Sequence, residues 1–335
     1  METLPRQKTP QNDLNNLLLK TNQNFDNKND LSILVSICCL TFNHQNYIRQ
    51  CLDGFMVQQT NFKFEVLIHD DASTDNTATI VREYEHKYPA IIKPIYQTEN
   101  QYSNGIKPSI KFQFPRVKGK YIAMCEGDDY WTDPLKLQKQ VDFMESHPNL
   151  SFCFHGAQTL TADGIYGIYY KKKQFKDRQL VPKKYFLESG GGGYCTASSF
   201  FRTSVVKSIP QYFTKCPVGD LPLALLAITK GDIGYLKDEM AVYRLMTDNS
   251  WSQVTKFDKK KENLVIIFDT IKQFEIQTNF KYSNEMVLLK KVMNYKFGFY
   301  NYKHSIFKSL KYAIKNFNKM GIHYSLKLIK DSFRK

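Results

Sequence analysis

No stretch of the 335-residue chain approaches ~18 consecutive apolar residues, so a membrane-spanning helix is not expected. The first thirty residues are polar and rich in Asn and Gln, and they lack the apolar segment of a secretory leader. Cysteine never occurs in a Cys-x-x-Cys spacing. The count of seven is odd, which suits free, buried thiols in a reducing compartment rather than a disulfide framework. A cytoplasmic protein is the expectation. There is no internal repeat, and no recognised nucleic-acid-binding motif accompanies the pI of about 9.3. Acidic residues are scarce in one region only. Thr255–Lys335 holds 18 Lys and Arg against 6 Asp and Glu, which is +12 of the total +15.

What is present is ordinary globular material, 42% hydrophobic and 24% charged, enough for a large core. Residues 1–30 read as a mobile lead-in with a short helix near Leu14–Leu19. Ile33–Leu40 is a β-branched apolar run of strand length, and Ile48, Cys51, Leu52, Phe55 and Met56 then follow helical spacing. Phe64–His69 is a second strand, followed by a helix carrying Ile80, Val81 and Tyr84 that Asp75 can cap. A third strand is expected at Ile91–Tyr96, a helix within Gly105–Val117 and a fourth strand at Tyr121–Met124. Asp133-Pro134 opens another helix. Alternating strands and helices predict a doubly wound α/β sheet, in which ligands bind at the carboxyl ends of the strands. Further short strands are expected at Ser151–His155, Cys195–Phe201, Ile233–Leu236 and Met240–Arg244. Helices are expected near Pro182–Ser189 and Asp220–Thr229, and after Trp251 the chain reads as helical.

Three polar clusters follow strands, at 41–43, 70–75 and 126–129, and should converge on one crevice. Asp71, Ser73 and Asp75 imitate the start of a calcium loop. The later positions are Asn76 and Arg82 where such a loop has Gly and Glu, so calcium is rejected. Adjacent acids after a buried strand can instead accept from a base N–H or from ribose hydroxyls. In Glu126-Gly127-Asp128-Asp129, acids two apart at a strand end can face one hard divalent ion such as Mg²⁺ or Mn²⁺, and Gly127 permits a close backbone approach to a ligand.

In order and spacing, Val35-Ser36-Ile37 before Thr41-Phe42-Asn43, then Asp70–Thr77, then Gly119–Ile122 before Glu126–Asp129 resemble family 2 of the inverting glycosyltransferases. The likeness is strong over 31–149 and traceable to about 252. It implies a GT-A-like doubly wound mixed sheet with a Rossmann-like nucleotide-binding half, followed by a helical C-terminal extension. The division implied is a catalytic unit over 31–254, with a nucleotide-sugar half at 31–130 and an acceptor half at 131–254, then a basic helical region at 255–335. It also implies a nucleotide-diphosphate sugar donor, UDP-linked by preference, and a hydroxyl acceptor on a glycan or lipid-linked glycan in bacterial surface polysaccharide assembly. By the same resemblance Thr41, Asn43 and Asn100 line the nucleotide pocket, and Asp70 and Asp71 bind base and ribose. Glu126, Gly127 and Asp128 follow the Asp-x-Asp motif, with Asp128 holding Mn²⁺ or Mg²⁺. Asp220 is the general base, and Asp129, Trp131, Arg244 and Trp251 are expected near diphosphate or acceptor. Glu126 departs from the family's first Asp. Met246 departs from a His that helps hold metal or diphosphate, for which Asp248 or a water could substitute. Gly190–Gly193 is expected to form a flexible loop near the acceptor.

Other readings are a catalytically inactive nucleotide-sugar-binding protein and a nucleotidyltransferase. The second lacks the Gly-rich basic loop it would need after the first strand. A nucleic-acid partner is not expected, because the crevice is acidic. In the basic quarter Phe307, Leu310, Ile314 and Phe317 share a helical face, with Lys308, Lys311, Lys315 and Lys319 beside them. That pattern suits either a helix packed on its own domain or contact with the anionic inner face of the plasma membrane.

Overall fold

The computed structural model describes residues 32–169, 176–187, 193–245, 257–302 and 305–333. The expected helix at Leu14–Leu19, most of the Gly190–Gly193 tract, Met246, Asp248 and Trp251 lie outside them.

The chain begins its sheet with β1 (Ile33–Thr41), β2 (Lys63–Asp70), β3 (Ile95–Tyr96) and β4 (Tyr121–Met124), all parallel. Helices α1 (Ile48–Met56) and α2 (Thr77–Lys87) provide the crossovers from β1 to β2 and from β2 to β3. The strand expected at 91–96 is shorter. Ile92 makes a single bridge to Val66, and pairing resumes at Ile95 beyond Pro94, whose ring has no N–H to give the ladder. The helix expected within 105–117 is one π-turn, Ser109–Gln113, running into a 3-10 turn at Phe114–Arg116.

The second half supplies β5 (Tyr130–Trp131), α3 (Lys136–Ser146), β6 (Leu150–Leu160), β7 (Tyr166–Ile168), β8 (Gln179–Leu180), α4 (Lys183–Leu187), β9 (Phe200–Arg202), α5 (Gln211–Thr214), α6 (Asp220–Lys230) and β10 (Asp232–Arg244). The sheet order is β3-β2-β1-β4-β9-β6-β10-β5, with β7 on β6 and β8 on β10. Two expected strands, 233–236 and 240–244, are one strand whose pairing slips around Glu239. At 195–201 a 3-10 turn, Thr196–Ser198, replaces the first half of the expected strand. The remainder is α7 (Phe257–Gln277), α8 (Ser283–Tyr302), α9 (Ile306–Lys315) and α10 (Phe317–Ser332). Among the described residues no helix is long and apolar enough to cross a membrane.

Alternation along the strands builds two cores, one on each face. Val35, Ile37 and Cys39 of β1 face Ile48, Leu52 and Phe55 of α1 and Leu137 of α3. Cys38, Leu67 and Ile122 point the other way, into a core with Leu221, Leu225 and Ile228 of α6. That second core also takes Leu264, Ile267, Ile271 and Phe274 of α7 and Met286, Leu289, Val292 and Met293 of α8. The first two helices of the basic region are therefore built into the sheet's own core. All seven cysteines are buried and free.

Candidate active site

β1 ends at Thr41, whose register partner is Asp70 at the end of β2. Beyond β4, the Cys125 N–H donates to the Cys38 carbonyl (3.2 Å) and the Gly127 N–H to the Leu40 carbonyl (2.8 Å). The ladder thus carries the acidic loop alongside the end of β1, and the three clusters meet as the sheet logic requires.

Several of the residues expected at the nucleotide also tie the loops to one another. Asn43 sits at φ 55°, and its side-chain carbonyl accepts the Thr74 N–H at 2.8 Å while its own N–H donates to Ser73 Oγ at 2.9 Å. The Asp71 carboxylate accepts the backbone N–H groups of Gln101 (2.8 Å) and Tyr102 (3.0 Å), and His69 Nε2 lies 3.3 Å from it. Asn100 donates to the Asp71 carbonyl and accepts from the Ser103 N–H. These bonds tie the loops at 43, 71–74 and 100–103 together. Asp70 is different: Ser73 Oγ donates to its Oδ1, and burial pushes its carboxyl above the usual range. Thr41 Oγ1 and His44 Nδ1 are buried without hydrogen-bond partners among the described residues. A Cβ on Gly127 would stand 2.7 Å from that Thr41 oxygen and 2.9 Å from that His44 nitrogen. Gly127 therefore allows a close approach to these two side chains.

Glu126, Asp128 and Asp129 each offer a carboxylate oxygen, and these oxygens lie within 4.8 Å of one another. Asp129 Oδ1 accepts the Arg244 N–H at 2.9 Å, while Oδ2 is buried and unpartnered. Arg244 also donates to the Asp128 carbonyl and to Gln50, and its guanidinium lies 4.6 Å from the centre of the Tyr130 ring. Burial, then the charges of Asp128 and Asp220, pushes the Glu126 carboxyl up from 4.5 to about 8. Burial likewise raises Asp129, with Asp128 and Glu126 adding to the effect. Three like-charged oxygens this close, one of them orphaned, fit a divalent cation with oxygen preference. Asp129, expected near diphosphate or acceptor, is one of the three acids of that cluster.

The sign of the Glu126 shift gives a test. The metal-free folded state holds this proton to about pH 8 and the unfolded chain releases it near 4.5, so rising pH between those values favours unfolding. Thermal melts of metal-free protein should fall across that window, and Mn²⁺ should flatten the slope. An unchanged slope with Mn²⁺ would remove Glu126 from the cation site.

Asp220 opens α6, and its Oδ1 accepts the Leu221 N–H at 2.9 Å. Burial raises its carboxyl above the usual range, opposed by the Leu221 and Asp220 N–H groups and by the Lys296 ammonium. Tyr194 donates its hydroxyl to the Asp220 carbonyl at 3.0 Å. Lys296, on α8, is itself lowered by burial and raised by Asp220. Sequence reasoning missed it. The visible signal was a lysine in register with Leu289, Val292 and Met293, the stripe that α8 buries.

Trp131, expected near the substrate, is 3% exposed. Its indole N–H donates to the Ala197 carbonyl at 2.9 Å, its ring packs on Phe55, and the Lys136 ammonium lies 3.8 Å from the centre of the ring. It is a core side chain.

The mixed sheet with its helical extension is a GT-A-like fold, and comparison with known proteins agrees. The model of the family described as glycosyl transferase family 2 matches residues 36–208. The chain belongs to that family. It is 35% identical over 221 residues to an uncharacterized protein of Mycobacterium tuberculosis, covering 65% of this chain and 60% of that one. The structure of S. aureus TarS 1–349 in complex with UDP-GlcNAc superposes with a TM-score of 0.55 at 16% identity, over 90% of each chain. A mannosyltransferase, PcManGT of Pyrobaculum calidifontis, in complex with GDP-Man and Mn²⁺, gives 0.53 at 12% identity over 94% of this chain and 86% of that one.

Proposed function

We propose that the protein transfers a sugar from a nucleotide-diphosphate donor to a hydroxyl of a glycan or lipid-linked glycan, with inversion at the anomeric carbon. The observation that carries this is the acidic triad at the end of β4, with Asp220 close enough to Glu126 for its charge to raise that carboxyl. A cation centre and a base on one crevice are what a single displacement needs. That TarS was solved with UDP-GlcNAc and PcManGT with GDP-Man and Mn²⁺ supports the donor class and the ion.

Asp128 and Glu126, with the free oxygen of Asp129, would hold Mn²⁺ or Mg²⁺. Such an ion offsets the charge that grows on the departing nucleotide diphosphate. Asp70, with one oxygen on Ser73, is the acid placed to accept from base or ribose, and Thr41 Oγ1 is a buried hydroxyl beside it. Asp220 takes the acceptor proton as the acceptor oxygen bonds to the anomeric carbon and the bond to phosphate oxygen breaks. Its raised pKa brings it closer to working pH, and Lys296 holds the rise in check.

Lys296→Met should therefore move the acidic limb of the pH–rate profile to higher pH, since removing the ammonium lets the Asp220 carboxyl rise further. The donor KM should hold. A profile that keeps its limb would detach Lys296 from the base. The broader test is release of nucleoside diphosphate from UDP-, GDP- and dTDP-sugars with Mn²⁺ present. Failure of all three, with no thermal stabilisation by any, would favour a protein that neither turns over nor binds such donors.

A further inference from the structure

Helices α9 and α10 are built the wrong way round for a pair that only packs on its own protein. They bury small residues, Ser309 and Ala313 on α9, and Ser325 and Ser332 on α10, alongside Met320 and Leu328. They display the large ones: Phe307 is 75% exposed, Ile314 69%, Ile322 65%, Leu326 60% and Phe333 62%. On α9 the displayed residues fall at 307, 310 and 314, a single helical stripe, and Lys308, Lys311 and Lys315 each follow one residue later as a parallel stripe. On α10, past the break at Gly321 (φ 71°), Ile322, Leu326 and Phe333 form a second stripe, with Lys327 and Lys330 beside it. Asp331 is the single acid between Ile306 and Phe333, against six lysines, and the Tyr295 hydroxyl donates to it.

The inner faces of these helices close a small cluster, Ala313, Met320 and Leu328 against Tyr295, Phe299, Tyr312 and Tyr324. The outward stripes have no such role. On α7, by contrast, the exposed Val265 and Ile276 are separated along their face by Asp269 and Lys272, and the helix's large residues Ile267, Ile271 and Phe274 are buried.

We propose that the α9–α10 pair is a docking face for an anionic phospholipid bilayer. The aromatic and aliphatic stripes enter the boundary between headgroups and acyl chains. The flanking lysines lay their methylene stems along the apolar surface and set their ammonium groups among lipid phosphates. Two observations select this occupant. The charge is of one sign and lies beside the apolar stripe, which complements an anionic sheet. A second copy meeting the same face across a two-fold axis would bring lysine stripe against lysine stripe. The basic quarter thus divides: α7 and α8 serve the catalytic core and α9 and α10 serve the surface.

The test uses the full chain and pelleting with vesicles, phosphatidylcholine alone against phosphatidylcholine mixed with phosphatidylglycerol. Binding is expected to the mixed vesicles only and to fall with salt. Replacing Lys308, Lys311 and Lys315 by Gln should weaken partition on the order of 100-fold. The pairs Phe307→Glu with Ile314→Glu, and Ile322→Glu with Leu326→Glu, should each abolish binding while leaving the melting temperature and donor hydrolysis unchanged, because these side chains are exposed and lie outside both large cores. Equal binding to both vesicle types, binding that survives the Glu pairs, or no binding at all would each overturn the proposal. So would a dimer in solution that the same Glu pairs dissolve. None of these outcomes depends on whether the enzyme transfers sugar.

Discussion

Asp220→Asn should lower turnover by roughly a hundred- to ten-thousand-fold, the range a general base supplies. The amide keeps an oxygen where Oδ1 accepts the Leu221 N–H at 2.9 Å, so the start of α6 should hold and the fold should persist. Donor binding should stay within about twofold, since the role proposed for Asp220 is toward the acceptor's proton and not the nucleotide. Single-turnover rates measured beside nucleoside-diphosphate affinity would separate the two. Turnover within a few-fold of the parent would remove Asp220 from the mechanism, and a matching loss of donor affinity would show a binding role instead.

Asp128→Asn, or a chelator, should cost about a hundredfold or more in turnover, because a divalent ion contributes several kcal/mol at the leaving diphosphate. The two interventions should differ in one respect: added Mn²⁺ should restore the chelated protein and leave the variant impaired. Stabilisation of the fold by UDP should also require the ion in the parent and be weakened in the variant. Full activity in chelator would refute the cation assignment. Arg244 sharpens the comparison. It donates to the Asp128 carbonyl and its N–H to the Asp129 carboxylate, so the loop backbone stays anchored when the Asp128 side chain is altered.

The strands and the three clusters were legible because each is carried by contiguous residues. Ile33–Leu40, Phe64–His69 and Tyr121–Met124 are apolar runs ending in polar turns, and parallel pairing brings those turns together. Hydrogen-bond commitments were not legible. Asn43, Asp71 and Asn100 stand in the expected loops, but their bonds to Thr74, to the amides of Gln101 and Tyr102, and to Ser103 could not be read from spacing. Spacing tells which loop a side chain belongs to and not which neighbour, thirty residues away, takes its lone pairs. Trp131 was expected near diphosphate or acceptor, but β5 pairs with β10 and the ring lies in the core. Lys296 lay in a region with no resemblance to read, and its place beside Asp220 depends on α8 joining the core that α6 also lines.

That shared core has a consequence for how the molecule is made. Strand residues near the start of the sheet, Cys38 and Leu67, are sealed by side chains as late in the chain as Met293. Contacts closed over more than two hundred residues form slowly, because the loop entropy is lost before the burial repays it. On the ribosome the acidic loop and Asp220 emerge well before α7 and α8. Until those helices arrive, that face of the sheet is covered only in part, by α4 and α6, and Asp220 lacks the Lys296 ammonium. Chaperone demand should therefore fall late in synthesis, when residues 264–293 reach the sheet.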